Sequence, residues 1–283
     1  MTINARSRPV FILVLALLCL MISPVQAQGF STVKTVQGKL VVTGSATLFP
    51  LMNDVARRFE SKHPGIKIDV RSIGSGRGIV ELRAGTADVG MLSRALFNNE
   101  RDLFGFPIAR DGLAVVVHRD NPIKGVNSRE LSELLTGRIV NWKQLGGRDL
   151  PINLAWRTQG HGSVELILER LNLRRDQMRP HIVVNTGEEG IRVVAKDPKA
   201  VTLASVAEAE RSAQAGIGIK LLAYNGSIAS SRTIQNHNYM LSRPMTLVTR
   251  HLPQGVQKQF IDYALSSDVV DLQVKYGFVP YQE

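Results

Sequence analysis

The sequence feature that most restricts the possible folds of this chain is an alternation of apolar and amphipathic segments. Residues 39–43 form a short apolar run, and residues 50–59 then carry apolar side chains at helical spacing. Residues 66–73 alternate as a half-buried strand does, a glycine-rich loop at 74–78 opens a second helix, and residues 87–91 form another apolar run. This strand–helix–strand–helix–strand order within about 55 residues favours a parallel sheet covered by helices.

The same alternation continues through the rest of the chain. Further strands are predicted at 113–118, 152–156, 181–184, 201–204, 219–222 and 239–249. Further helices are predicted at about 127–137, 163–171, 188–197, 206–214, 253–265 and 267–276. A length of 283 residues favours about two domains, and no low-complexity linker separates them. Structured crossings must therefore join the two halves, and the extended segments 113–118 and 239–249 are best placed to form them.

The N-terminal segment predicts export. Arg6 and Arg8 precede an apolar run at 10–22, and a small residue, Ala27, ends the segment. A basic head, about a dozen apolar residues and an A-x-A-like end are typical of a signal peptide, here residues 1–27, with cleavage near Ala27. The run is shorter than the about 20 residues that a membrane-spanning helix needs, although an uncleaved anchor is the alternative. We expect a periplasmic or secreted mature protein.

Cysteine content and charge narrow the chemistry further. The single cysteine, Cys19, lies in the predicted signal peptide, so the mature chain offers no thiol nucleophile and no cysteine ligand for zinc. The histidines lack ligand-like spacing, so we expect no metal site. The 35 Lys and Arg residues against 24 Asp and Glu residues give a net charge of +11, spread without a basic run. This balance favours an anionic partner and argues against a nucleic-acid-binding tail.

Three loops between a strand and a helix have the composition of anion sites. They cover residues 44–50, 74–78 and 157–163. The unpaired N–H groups at a helix N-terminus attract anions, and Arg157 adds a guanidinium group that grips an oxyanion with two hydrogen bonds. Each loop alone is also explained by an ordinary helix cap or a tight glycine turn. Together they favour an anion site at the carboxyl ends of the strands.

Several longer motifs carry a family resemblance. They lie at residues 44–50, 72–78, 87–94, 134–147, 239–244 and 277–280. Through them the chain resembles the periplasmic phosphate-binding proteins of Pst-type ABC transporters over essentially all of residues 38–282. The resemblance implies an α/β, two-lobed periplasmic-binding-protein fold (type II-like). Each lobe would be a mainly parallel sheet flanked by helices, with the ligand cleft between the lobes. It places lobe one at 31–115 plus 241–283 and lobe two at 116–240.

The resemblance also implies a set of ligand-binding residues. They are Thr47, the amide of Leu48, Ser75, Ser93, Arg157, His161, Gly162 and Ser163. Two of these depart from the family pattern. Ser93 stands where the best-known phosphate binders have an aspartate that accepts the proton of hydrogen phosphate, and His161 stands where they have a serine. The first departure predicts that sulfate competes more effectively here than in a carboxylate-bearing relative. If His161 faces the ligand, the affinity for sulfate should rise as the pH falls from about 8 to about 6.

The resulting functional prediction is a binding protein and not an enzyme. We expect an exported monomer that captures an inorganic oxyanion, first of all phosphate, for an ABC permease or for phosphate sensing. No catalytic residues, metal or cofactor are implied. Two alternatives stay open. One is a secreted hydrolase of phosphate esters, in which Ser163 beside His161 is the only conceivable nucleophile–base pair. The other is a secreted adhesion or interaction protein that has kept the scaffold without ligand affinity.

Overall fold

Strands and helices alternate along the chain and build one curled, mixed sheet flanked by helices. The computed structural model describes residues 37–157 and 160–281, and the predicted signal peptide, residues 1–27, lies outside the described residues. The strands are β1 (Gly38–Gly44), β2 (Ile66–Ser72), β3 (Val89–Leu92), β4 (Phe104–His118), β5 (Gly125–Val126), β6 (Asn153–Arg157), β7 (Ile182–Val184), β8 (Ala200–Ser205), β9 (Ile219–Leu221), β10 (Ala223–Tyr224), β11 (Ser242–Thr249) and β12 (Val279–Pro280).

Helices cover the sheet between these strands. The α-helices are α1 (Phe49–Lys62), α2 (Ser75–Ala84), α3 (Ser128–Leu135), α4 (Gly162–Arg170), α5 (Gly187–Lys196), α6 (Val206–Gln214), α7 (Ser231–Gln235), α8 (Gly255–Leu265) and α9 (Val270–Lys275). Short 3-10 helices lie at Asn98–Glu100, Trp142–Leu145, Arg175–Gln177 and Ser267–Val269. A capping box begins α3, because the side chains of Asn127 and Glu130 each accept a hydrogen bond from the other's backbone N–H.

The strand order separates two parallel groups. Neighbouring strands follow the order β2-β1-β3-β11-β4-β8-β6-β7, and β9 and β12 also pair with β4. Parallel pairs join β1 to β2 and β3, and join β6 to β7 and β8. The pairs made by β4 and β11 are antiparallel, so antiparallel pairing is found where the two groups meet. The predicted fold class, a two-lobed α/β protein, is confirmed.

Strand β4 links the two groups. Over its 15 residues it pairs first with β11, through residues 104–112, and then with β8, through Leu113–Val117. The apolar run at 113–118 predicts only its second half. Pro107 and Gly112 interrupt the pattern in the first half, where pairing with β11 and β12 keeps the chain extended.

Two large hydrophobic cores lie on either side of this junction. One contains Val42, Met52 and Phe260 and surrounds β1, β3 and β11; we call this part the first lobe. The other contains Val115 and Val201 and surrounds β6, β7 and β8; we call this part the second lobe. Each core is covered by the apolar faces of its own helices. Loops at the carboxyl ends of both parallel groups are thereby brought face to face. None of the helices described is both long and apolar enough to cross a membrane.

Candidate functional site

The three loops singled out in the sequence meet at one small pocket between the lobes. The pocket is narrow, and its walls leave almost no room for a water-sized sphere in the ligand-free protein. It is lined by Ser45, Ala46, Thr47, Ser75, Ser93, Arg157, His161, Gly162 and Ser163. The first lobe contributes the residues after β1, at the start of α2 and after β3, and the second lobe contributes the end of β6 and the start of α4. Every residue of the predicted site except Leu48 lines this pocket.

Leu48 lies beside the pocket and does not line it. Its side chain is completely buried in the first core, and its N–H donates to Ser45 Oγ at 3.3 Å. Ser45, which the motif contains but the prediction did not single out, takes a place on the pocket wall instead. The hydrogen bond that Ser45 Oγ accepts fixes the loop before α1, and Thr47 of this loop lines the pocket.

Three helix N-termini point into the pocket without a side-chain cap. The N-cap residues are Leu48 for α1, Gly74 for α2 and His161 for α4, and none of them makes a capping side-chain hydrogen bond. Helices α3, α5 and α6, in contrast, are each capped by the side chain of their N-cap residue. The positive ends of three helix dipoles therefore lie beside the pocket and favour a negative charge there, although the N–H groups of Phe49 and Gly76 already donate to the carbonyl oxygens of Ser45 and Gly160.

Glycine residues let the lobes approach this closely. Gly74 has a φ of +93°, and a Cβ atom there would lie 2.5 Å from the carbonyl oxygen of Gly160 in the second lobe. A Cβ atom on Gly162 would lie 2.6 Å from Ser75 Oγ and 2.7 Å from Ser93 Oγ. The N–H of Gly76 donates to the Gly160 carbonyl oxygen at 3.1 Å. The two lobes are thus in direct contact around the pocket.

Arg157 supplies the positive side chain of the pocket. It is buried, and its Nη2 donates to the carbonyl oxygen of Leu203 at 3.0 Å. Burial lowers the pKa of Arg157, while the nearby Glu208 and Asp111 act in the opposite direction. Within the described residues, Arg157 forms no ion pair with a carboxylate. Its charge is therefore left for a ligand, in surroundings that screen it weakly.

His161 lies on the pocket wall, but its charge differs from what the sequence predicts. Burial, with the positive charges of Arg157 and Arg77, lowers its pKa to about 4. With this pKa the imidazole of the ligand-free protein is mostly neutral between pH 6 and pH 8. The rise of sulfate affinity at lower pH stays a prediction, and it requires the bound anion to raise the pKa of His161. His161 enters the site as a neutral hydrogen-bonding group, with Arg157 as its cationic neighbour.

Ser93 lies beside Ser75 on the pocket wall, and the side chain of Arg94, which follows it, is held by other residues. Ser75 Oγ accepts a hydrogen bond from the Ser93 N–H at 3.2 Å. Arg94 is buried and forms ion pairs of 2.7 Å with Glu100 and with Glu165 of the second lobe. The pocket lining therefore contains hydroxyl groups but no carboxylate.

Comparison with known proteins agrees with this architecture. The family model of the PBP superfamily domain matches residues 31–268. The chain belongs to the PBP superfamily. Among relatives of this PBP-superfamily protein is the phosphate-binding protein PstS of Bacillus subtilis (strain 168). It is 24% identical over 250 residues, which cover 86% of this chain and 81% of that protein.

Similar solved structures include proteins of phosphate transport. One, from Clostridium perfringens, is assigned as a phosphate ABC transporter substrate-binding protein with bound phosphate. It has a TM-score of 0.78 and 27% identity, and the match covers 87% of this chain and all of that chain. Another is an ABC-type phosphate transport receptor from Vibrio cholerae, with a TM-score of 0.74 and 29% identity over 86% of this chain.

Sequence reasoning missed the charged groups behind the pocket of this PBP-superfamily protein. Arg243 and Asp111 form a fully buried ion pair of 2.9 Å, and Arg243 Nη1 donates to the carbonyl oxygen of Ser93 at 3.1 Å. Glu208 lies close to Arg157. These residues come from three elements far apart in the chain, so no local motif could reveal them. Among the described residues, no group of His, Cys, Asp or Glu is arranged to hold a metal ion.

Proposed function

We propose that this protein binds inorganic phosphate in the pocket between its lobes and delivers it to an ABC uptake transporter. The observation that carries the proposal is the convergence of three uncapped helix N-termini with one buried, carboxylate-free arginine. Phosphate offers the charge and the several acceptor oxygens that such a site needs. The phosphate-binding relatives and neighbours support the choice of anion.

The size of the pocket favours the free ion over its esters. The walls of the pocket lie close together, so a small tetrahedral oxyanion suits the site better than an ester that carries a bulky organic group. The proposed ligand-binding residues are Thr47, Ser75, Ser93, Arg157, His161, Gly162 and Ser163. In the ligand-free protein the amide of Leu48 donates to Ser45 Oγ. It can donate to the ligand only if that hydrogen bond breaks.

The lobes have proposed boundaries within the chain. Lobe one would comprise residues 31–115 and 241–283, and lobe two residues 116–240. In support, the first core draws its members from residues 40–109 and 245–278, with Ala207 as its one member from between them. The second core draws on residues 113–241, so it extends past the proposed boundaries by residues 113–115 and Leu241.

The cellular setting is also part of the proposal. The protein would act as a monomer in the periplasm or outside the cell, after cleavage near Ala27, and would dock on a permease of the inner membrane. The relatives are solute-binding proteins, which are not enzymes. The pocket offers Ser163 and a neutral His161 but no carboxylate to orient the imidazole, which argues against a hydrolase.

The test is a calorimetric titration of the mature protein with phosphate, sulfate, arsenate and glycerol phosphate. We expect phosphate and arsenate to bind, sulfate to compete measurably, and glycerol phosphate to fail. Absence of phosphate binding together with turnover of p-nitrophenyl phosphate would favour the hydrolase. Absence of both would favour the adhesion protein.

A further inference from the structure

A shielded carboxylate oxygen without a hydrogen-bond partner lies behind the pocket, on the half-buried side chain of Glu208. Glu208 is in the first turn of α6, where its N–H donates to the Oγ of the N-cap residue, Ser205, at 3.3 Å. Its Oε2 is shielded from solvent and has no hydrogen-bond partner among the described residues. A shielded carboxylate oxygen is costly to leave without a hydrogen bond.

The carboxylate of Glu208 and the guanidinium of Arg157 face the same space. A Cβ atom on Gly187, at the start of α5, would overlap Glu208 Oε2 and would lie 3.2 Å from Arg157 Nη2. The glycine therefore leaves room for both groups. They nevertheless form no direct ion pair, so Arg157 has the pocket on one side and the Glu208 carboxylate on another.

Most other charged groups that face Glu208 already have partners. On β4 and β11, Asp111 is bound to Arg243 at 2.9 Å. On α6 itself, Arg211 donates to the carbonyl oxygen of Tyr276. On α5, the acids beside Gly187 are also engaged, Glu188 with Arg192 and Glu189 with the N–H of Asn185. Burial raises the pKa of Glu208, and the charge of Arg157 opposes that rise. The state of Glu208 therefore depends chiefly on Arg157 and on whatever anion lies next to it.

We propose that Glu208 competes with the bound anion for the charge of Arg157 and thereby limits the affinity of the site. The inference rests on the proposed function. An ionised Glu208 neutralises part of the Arg157 charge in the empty protein and repels an anion that enters the pocket. A bound dianion in turn favours the protonated form of Glu208, so anion binding and proton uptake are coupled. Glu208 is a positioning and affinity-setting residue that does not itself touch the ligand.

The decisive experiment compares the wild-type protein with Glu208→Gln in calorimetric titrations with inorganic phosphate at pH 8. Gln keeps the shape of the side chain and removes its charge, so we expect phosphate to bind about tenfold more tightly. Glu188→Gln is the matched control. It removes an exposed carboxylate from α5, on the residue next to Gly187, and should leave the affinity within about twofold. Equal or weaker binding by Glu208→Gln would overturn the inference.

Two further measurements keep the test independent of a single variant. Titration in buffers of different ionisation enthalpy should show that the wild-type protein takes up more protons per phosphate than Glu208→Gln does; equal uptake would contradict the coupling. Glu208→Asp keeps the charge but withdraws it from Arg157, and it should bind phosphate more tightly than wild type by a smaller factor. If the wild-type protein itself fails to bind phosphate, the proposed function is wrong, and this result is distinct from unchanged binding in the variants.

Discussion

At the scale of single residues, Arg157 concentrates the attraction for an anion. Its guanidinium is buried and donates a hydrogen bond to the carbonyl oxygen of Leu203, and it forms no ion pair with a carboxylate of the described residues. Because charge-assisted hydrogen bonds contribute about 1.5–3 kcal/mol, Arg157→Ala should weaken phosphate binding at least about tenfold. Isothermal titration calorimetry measures the change. Arg192→Ala, which removes an exposed arginine paired with Glu188, should bind as the wild type does.

Gly162 tests whether the lobes must touch for binding. A methyl group there would meet the hydroxyl groups of Ser75 and Ser93 at 2.6 and 2.7 Å, closer than ordinary contact. Gly162→Ala should therefore reduce phosphate affinity by at least about tenfold while the fold persists, because alanine is well tolerated in the first turn of a helix. Gly90→Ala is the control, since its methyl group would meet only ordinary contacts, of 3.5 Å or more. Normal affinity in Gly162→Ala would show that the lobes need not approach so closely.

The sequence points to pocket-lining residues where a motif is local, and it misses residues and properties that depend on burial. Thr47, Ser75 and Ser163 each lie where a strand is followed closely by a helix, so their place at the carboxyl end of the sheet follows from the chain order. Glu208 lies on α6, in no such loop, and only the packing of α5 against α6 brings it to Arg157. The low pKa of His161 likewise comes from burial and two neighbouring cations, which no spacing encodes.

At the scale of elements, a buried ion pair ties the loop after β3 to helix α4. Arg94 Nε donates to Glu165 Oε2 at 2.7 Å, from the first lobe to the second. Glu165→Gln keeps a hydrogen bond but removes its charge. Because charge-assisted hydrogen bonds are about twice as strong as neutral ones, phosphate affinity should fall about fivefold. Calorimetry at pH 7.5 measures it.

The control for this pair lies on the same helix. Glu169→Gln changes an exposed acid one turn further along α4 and should leave the affinity unchanged. An equal loss in both variants would mean that the charge of the helix, and not the contact with Arg94, is responsible.

Most element boundaries were predictable, and the exceptions have a common cause. Helices α5 and α6 begin and end within a residue of their predicted bounds, because apolar spacing and caps agree there. Helix α2 begins at Ser75, so the glycine-rich loop is itself the first helical turn. The first half of β4 owes its extension to pairing with β11, a partner over 100 residues away. Sequence pattern captures local preference and misses structure that a distant partner imposes.

At the scale of the whole molecule, resistance to acid should depend on Glu100. Burial disfavours its charge, but its bonds to Arg94 and to the N–H of Phe97 outweigh this and hold the pKa of Glu100 below its usual range. A group with a lowered pKa stabilises the fold above its unfolded pKa, and the contribution is lost as the pH falls through the folded value. Glu100→Gln should cost at least about 2 kcal/mol at pH 7, because it leaves Arg94 with one partner fewer.

The pH profile distinguishes this cause from a simple packing defect. The difference in unfolding free energy between wild type and Glu100→Gln should stay constant above about pH 5 and shrink below about pH 4. Urea denaturation followed by circular dichroism measures both proteins. A difference that does not change with pH would assign the loss to packing.

The long strand β4 has a consequence for how the molecule comes apart. Its residues complete the sheet of the first lobe with β11 and that of the second lobe with β8, so neither sheet survives without it. Unfolding of one lobe therefore removes hydrogen-bond partners and apolar contacts from the other lobe. Despite two cores, the mature protein should lose its structure in a single calorimetric transition. A fragment cut at residue 115, through the middle of β4, should remain unfolded on either side of the cut.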